Sequence, residues 1–158
     1  MNPWLDLTAS ASDGRSTYVS YKNAPVPVEY SYAGGPTYLN LSGTQVPNAS
    51  KFTGNISAEF HHPISEAVTV FGYLNESYKS GWFTSAVETL GRQGGYGLTN
   101  AGFGFKSAGG RYSLEFWGKN LFDKQYATAF SPATASTPYF EVFGRPRTVG
   151  VTLTVKGF

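Results

Sequence analysis

The 158-residue chain has no cysteine, one methionine and two histidines. Without cysteine there is no disulfide scaffold and no thiolate nucleophile. Charge is also scarce. Lys, Arg, Asp and Glu make up 14% of residues, against about 25% in an ordinary soluble domain. A coiled coil and a charged disordered tail are both excluded. The formal charge of +2 is too small for a nucleic-acid footprint. No window holds 18 consecutive apolar residues, so no transmembrane helix is expected. The start, MNPWLDLTASASDG, has neither the basic segment nor the apolar run of a secretory signal. None of these absences excludes a membrane β-barrel, whose strands need only about 9–11 residues and alternate apolar with polar. Such alternation averages out in the mean hydropathy of −0.24.

Glycine and aromatic residues are abundant, with 19 Gly, 11 Tyr, 12 Phe and 3 Trp. Many of the aromatics fall in stretches of period two. Over 51–61, Phe52, Gly54, Ile56, Ala58 and Phe60 share one face; Lys51, Thr53, Asn55, Ser57, Glu59 and His61 share the other. Over 148–156, Val149, Val151, Leu153 and Val155 oppose Thr148, Gly150, Thr152, Thr154 and Lys156. Residues 111–116 and 5–12 repeat the pattern. Each is a half-buried strand signal, and none fits a helical stripe. With two weaker segments, the pattern predicts strands at 4–21, 51–61, 67–82, 95–106, 111–126 and 145–158, and no helix. The fold class expected is all-β, an antiparallel up-and-down meander of about six strands. Intervening segments run long (22–50), short (62–66), long (83–94), short (107–110) and long (127–144). Outer-membrane barrels have this asymmetry, with short periplasmic turns and longer extracellular loops. Both chain ends then lie on the short-turn side.

Motifs for chemistry are absent. HExxH, GxSxG, Walker and GxGxxG patterns do not occur, so no enzyme activity and no cofactor are expected. His61 and His62 are adjacent on a strand and point to opposite faces, so they cannot readily share a metal ion. Asn120 and Asp123 are expected to satisfy backbone groups where a strand meets its loop. Arg145-Pro146-Arg147 reads as the start of a strand, where proline is tolerated. Sequons begin at Asn40, Asn48, Asn55 and Asn75; with Asn55 in mid-strand, they are read as chance.

The run Asn120-Leu121-Phe122-Asp123-Lys124-Gln125-Tyr126, a loop, and then Gly144-Arg145-Pro146-Arg147-Thr148-Val149-Gly150-Val151 is similar to the C-terminal end of TonB-dependent outer-membrane receptors. Gly43-Thr44-Gln45-Val46-Pro47-Asn48-Ala49-Ser50-Lys51 and Gly95-Tyr96-Gly97-Leu98-Thr99-Asn100 resemble strand starts of the same family. The resemblance runs from about residue 43 to 158. It implies a 22-stranded barrel plugged by an N-terminal domain, which captures a scarce solute, often an iron–siderophore complex, and imports it with energy from the inner membrane. It also implies that Val151, Leu153, Val155 and Phe158 form the signal read by the barrel assembly machinery, with Phe158 out of phase unless Gly157 forms a bulge.

The six strands therefore read as the C-terminal portion of a receptor in a Gram-negative outer membrane. The plug and the segment that engages the TonB complex are expected elsewhere. Candidate contacts to an extracellular solute are Tyr30, Tyr32, Tyr38, Trp82, Arg92 and Tyr139; the expected surroundings are outer-membrane lipid. Two other readings stay open: a soluble secreted β-sandwich that binds carbohydrate through its loop aromatics, and a small self-standing barrel, which needs about eight strands to close.

Overall fold

A computed structural model describes residues 4–27, 31, 33–84, 91–131 and 139–157. In chain order the elements are β1 (Leu5–Asp13), β2 (Phe52–Pro63), β3 (Val68–Lys79), β4 (Trp82–Phe83), β5 (Arg92–Gln93), β6 (Tyr96–Ser107), β7 (Tyr112–Lys119), β8 (Ala127–Ser131), β9 (Phe140–Phe143) and β10 (Thr148–Val155). One 3₁₀ turn, Ala108–Gly110, joins β6 to β7. The protein is all-β. Its main sheet has six strands in the order β1-β2-β3-β6-β7-β10. Every neighbouring pair in it is antiparallel.

All six sheet strands fall inside the expected segments or within a residue or two of them, and both sheet ends lie on the short-turn rim. Leu5 pairs with Phe60 and Val155 with Tyr112, beside the turns at 64–67 and 108–111. Four expected strands end early; the third stops at Lys79 rather than residue 82. The first stops at Asp13 rather than residue 21, and Gly14 donates its N–H to the Lys51 carbonyl as the chains part. The fifth stops at Lys119 rather than 126, because Asn120 and Asp123 take positive φ values of 50° and turn the chain. The last runs from Thr148 to Val155 rather than 145–158. Its expected partner in the assembly signal, Phe158, lies outside the described residues.

The long connections carry structure of their own. β4 pairs with β5 and β8 with β9, each as a separate two-stranded ribbon. The first connection is pinned by the bridges Thr17–Gln45 and Ala24–Leu39. Such short pairings sit in Gly- and Pro-punctuated sequence, so alternation cannot reveal them.

Candidate functional site: a two-faced sheet and an aromatic rim

The register fixes which side chains share a face, because alternate residues point to opposite sides. Opposite the apolar row of β2 stand Leu5, Leu7, Ala9 and Ala11 of β1 and Gly72, Leu74, Glu76 and Tyr78 of β3. The row continues through Ala101, Phe103 and Phe105 of β6, Leu114, Phe116 and Gly118 of β7, and Val149, Val151, Leu153 and Val155 of β10. Leu7, Ile56, Leu74, Phe103, Phe116, Val151 and Leu153 are all exposed. Phe103 and Phe116 stack at 5.3 Å between ring centroids, near the middle of the band. Phe52 and Tyr78 meet at the long-loop end, and Trp4 meets His62 edge-on at the short-turn end.

The opposite face is mainly polar, apart from the rings of Phe71, Tyr73 and Trp117. It carries Thr8 and Ser10, then Asn55 beside Asn75 and Asn100, then Lys106, Glu115, Thr152 and Thr154. Asn75 donates to Asn55 Oδ1 at 3.1 Å, and Trp117 Nε1 donates to Thr152 Oγ1 at 3.0 Å. Glu59 and Glu115 lie on this side by register, while Lys51 and Arg111 stand one residue before β2 and β7. His61 falls here too, whereas His62 falls on the apolar face.

Glycines let large rings lie across the ladder. A Cβ at Gly104 would strike the backbone carbonyl of Leu114 and the ring of Phe71. One at Gly102 would meet the tip of the Tyr73 ring. In both pairs the aromatic covers the directly opposed glycine, an arrangement known to secure register in glycine-rich strands.

The long-loop rim on the polar side holds an aromatic cluster. Trp82 is buried, packs against Phe130 at 5.1 Å and lies under the ammonium group of Lys79 at 5.3 Å. Tyr96 stacks on Tyr126 at 4.6 Å. Two hydrogen bonds lock the β4–β5 ribbon to the β8–β9 ribbon. Gly91 donates its N–H to Tyr139 Oη at 3.1 Å, and Ala127 donates its N–H to Gln93 Oε1 at 2.6 Å. Arg92 is exposed and its guanidinium lies over Phe83 at 5.3 Å.

The structure thus brings together Trp82, Arg92 and Tyr139 from the expected contact set. Tyr38 is exposed in the first connection, and no ring contact joins it to the cluster among the described residues. Tyr30 and Tyr32 lie outside the described residues. Sequence reading missed Lys79, Gln93, Tyr96, Tyr126 and Phe130. The Gly95–Asn100 strand start placed Tyr96 at the rim, but nothing in the sequence pairs it with Tyr126.

Asn120 and Asp123 do what their residue types suggest. Asn120 is buried; its amide donates to the carbonyls of Lys124 (3.0 Å) and Arg145 (3.1 Å), and its Oδ1 accepts from Lys124 N–H at 2.8 Å. Asp123 Oδ1 accepts from Arg147 N–H at 2.8 Å. Together they tie the end of β7 to the start of β10.

No known family pattern and no curated protein matches the chain. A solved structure, the ferric yersiniabactin uptake receptor FyuA from Yersinia pestis, matches 75% of this chain with a TM-score of 0.65 and 18% identity. The match takes in 18% of the receptor's own length, so this chain spans less than a fifth of that protein. At this identity the likeness establishes the fold: a six-stranded antiparallel sheet with the architecture of a barrel segment.

Proposed function

We propose that this chain is the C-terminal wall of an outer-membrane TonB-dependent receptor, with its apolar face toward lipid and its polar face toward the lumen and plug. One observation carries the reading: nearly every large exposed apolar side chain of the main sheet lies on one face. Large contiguous apolar surfaces on a soluble monomer are rare. Among the described residues no second sheet covers this face, as a β-sandwich requires. The sheet also leaves β1 and β10 unpaired on their outer sides among the described residues. Open edges are costly in lipid, and further strands of a larger barrel would pair them.

In this role the chain supplies wall and rim rather than energy coupling, which belongs to the plug and the TonB complex. The rim cluster around Trp82, Tyr96, Tyr126 and Phe130, with Lys79 and Arg92, would form part of the extracellular vestibule. The solute proposed is a scarce one of the iron–siderophore class, supported by the neighbour's role as a ferric yersiniabactin uptake receptor. The barrel assembly machinery would read Val151, Leu153, Val155 and Phe158. The chain performs no catalysis in this reading.

The absence of native cysteine makes the test simple. Single cysteines at Ile56 and Val151, and at Ser57 and Thr154, are labelled with a fluorophore in reconstituted vesicles. The first pair should be quenched by a lipid-soluble quencher and the second by a water-soluble one. Equal aqueous quenching at all four positions, with a monomer stable in plain buffer, would overturn the reading.

A further inference from the structure

The apolar face is not smooth. Between β6, β7 and β10 it holds a groove of about 620 Å³ floored by Ala101 and Gly118, walled by Phe103 and Phe116, and closed toward the rim by Leu121 and Val149. Gly118 is buried beneath Leu121, whose side chain occupies the space a Cβ would take. The stacked Phe103–Phe116 pair bounds the groove on one side and Leu121 on the other.

Arg147, one residue before β10, lies beside the Leu121 end of the groove. Its guanidinium reaches the Leu121 carbonyl at 3.5 Å, and the residue is exposed. Lys124, also exposed, hangs from the same turn, its backbone fixed by Asn120. The carboxylate in this turn, Asp123, accepts from the backbone N–H of Arg147. A second apolar hollow on the same face, about 380 Å³ and lined by Ala9, Ala11, Phe52 and Ile56, has Glu76 in its wall instead. Glu76 accepts a hydrogen bond from Thr99. The two hollows therefore share their apolar chemistry and differ in the sign of the charge beside them.

We infer that the β6–β7–β10 groove is a site for a phospholipid of net negative headgroup charge in the surrounding leaflet. One acyl chain lies over Ala101, between the Phe103–Phe116 pair and Leu121, and the phosphate sits on Arg147. Guanidinium groups match phosphate oxygens in planar, bidentate geometry, and Arg147 is already held beside the groove. This inference rests on the proposed lipid-facing orientation and adds selectivity to it. The site would fix the height of the C-terminal strands in the membrane.

The experiment incubates the full chain in neutral-detergent micelles with equimolar phosphatidylglycerol and phosphatidylcholine of identical acyl chains. Retained lipid is then counted by native mass spectrometry. The wild type should retain phosphatidylglycerol about fivefold over phosphatidylcholine, as one cation beside an anionic headgroup can provide. Arg147→Gln should bring that ratio near one, Arg147→Lys should restore part of it, and Ala101→Trp should reduce retention of both lipids by filling the groove. Equal retention by the wild type would overturn the inference, as would a preference that survives both Arg147→Gln and Ala101→Trp. The label at Ile56, remote from the groove, separates the two readings. Lipid quenching there without phosphatidylglycerol preference sinks the lipid site alone; loss of that quenching sinks the orientation as well.

Discussion

The main sheet and its long-loop rim solve the burial problem in opposite ways. Among the described residues the buried apolar side chains are Ala24, Trp82 and Ala127. All three belong to the rim: the first connection, β4 and β8. The sheet instead leaves most of the Leu, Ile, Val and Phe of one face exposed. The rim is built like a small soluble protein, apolar inside and hydrogen-bonded between segments. In the proposed orientation the sheet faces an apolar exterior, and its backbone ladder satisfies every central strand without help from water. Stability of the two regions should therefore depend on different solvents.

The sharpest way to break this contrast is to place one charge on each face of β10. Val151→Arg puts a guanidinium near the middle of the apolar band and should cost about 2–4 kcal/mol, the range for arginine at a bilayer midplane. Thr154→Arg, on the polar face of the same strand, should cost less than about 0.5 kcal/mol. Urea unfolding from vesicles measures both. Equal costs would show that the two faces meet the same medium.

The next effect lies where sheet and rim join. Asn120→Ala removes three hydrogen bonds at a buried position and puts a Cβ-bearing residue without a side-chain amide at a φ of 50°. Unsatisfied buried groups and a left-handed alanine each carry a penalty, and together a loss of about 2–3 kcal/mol is expected. Asn120→Gly tolerates the backbone angle and should recover about 1 kcal/mol. Amide exchange at Lys124 and Arg147 should accelerate in both variants. Unchanged exchange would mean that the β7–β10 junction does not depend on this side chain.

Most of the sheet was legible in the sequence because period-two alternation records the difference between two media directly. The faces of β2 and β10 could be assigned residue by residue, and the register agrees. The strand ends were less legible. Residues 14–21 and 120–126 retain β-forming side chains, but Gly14, Asn120 and Asp123 redirect the backbone, and that choice depends on partners far along the chain. The rim cluster was visible only as a list of loop aromatics. Which ring meets which, as Tyr96 meets Tyr126 across 30 positions, depends on sheet order. The Gln93 and Tyr139 hydrogen bonds to the neighbouring ribbon's backbone carry no local signature at all.

Within the sheet, the glycines of β6 provide a finer comparison. At Gly104 an added methyl meets the fixed Leu114 carbonyl as well as Phe71, whereas at Gly102 its nearest neighbours are atoms of the Tyr73 ring and hydroxyl. Backbone cannot yield, but a ring tip can swing. Gly104→Ala should therefore destabilise by about 1–3 kcal/mol, as overpacking does, and Gly102→Ala by less. Unfolding midpoints in vesicles that came out in the reverse order would contradict the register of β3 against β6.

The smallest expected effect tests whether the rim is an independent unit. Tyr139→Phe keeps the ring near Phe130, where the two rings now stack at 6.2 Å, but removes the hydroxyl that accepts from Gly91 N–H and donates to Glu141 Oε1 at 3.0 Å. Gly91 is buried, so its N–H loses a partner that water does not readily replace. The local cost should be about 0.5–1.5 kcal/mol. Because the bond joins the β4–β5 and β8–β9 ribbons rather than two sheet strands, the loss should stay in the rim. Amide exchange at Gly91 and Gln93 should quicken and the near-ultraviolet signal of Trp82 should weaken, while the unfolding midpoint of the sheet stays within error. A midpoint that fell in step with the rim signal would show that sheet and rim unfold as one cooperative unit, and the apolar-inside rim would then be part of what holds the apolar-outside sheet together.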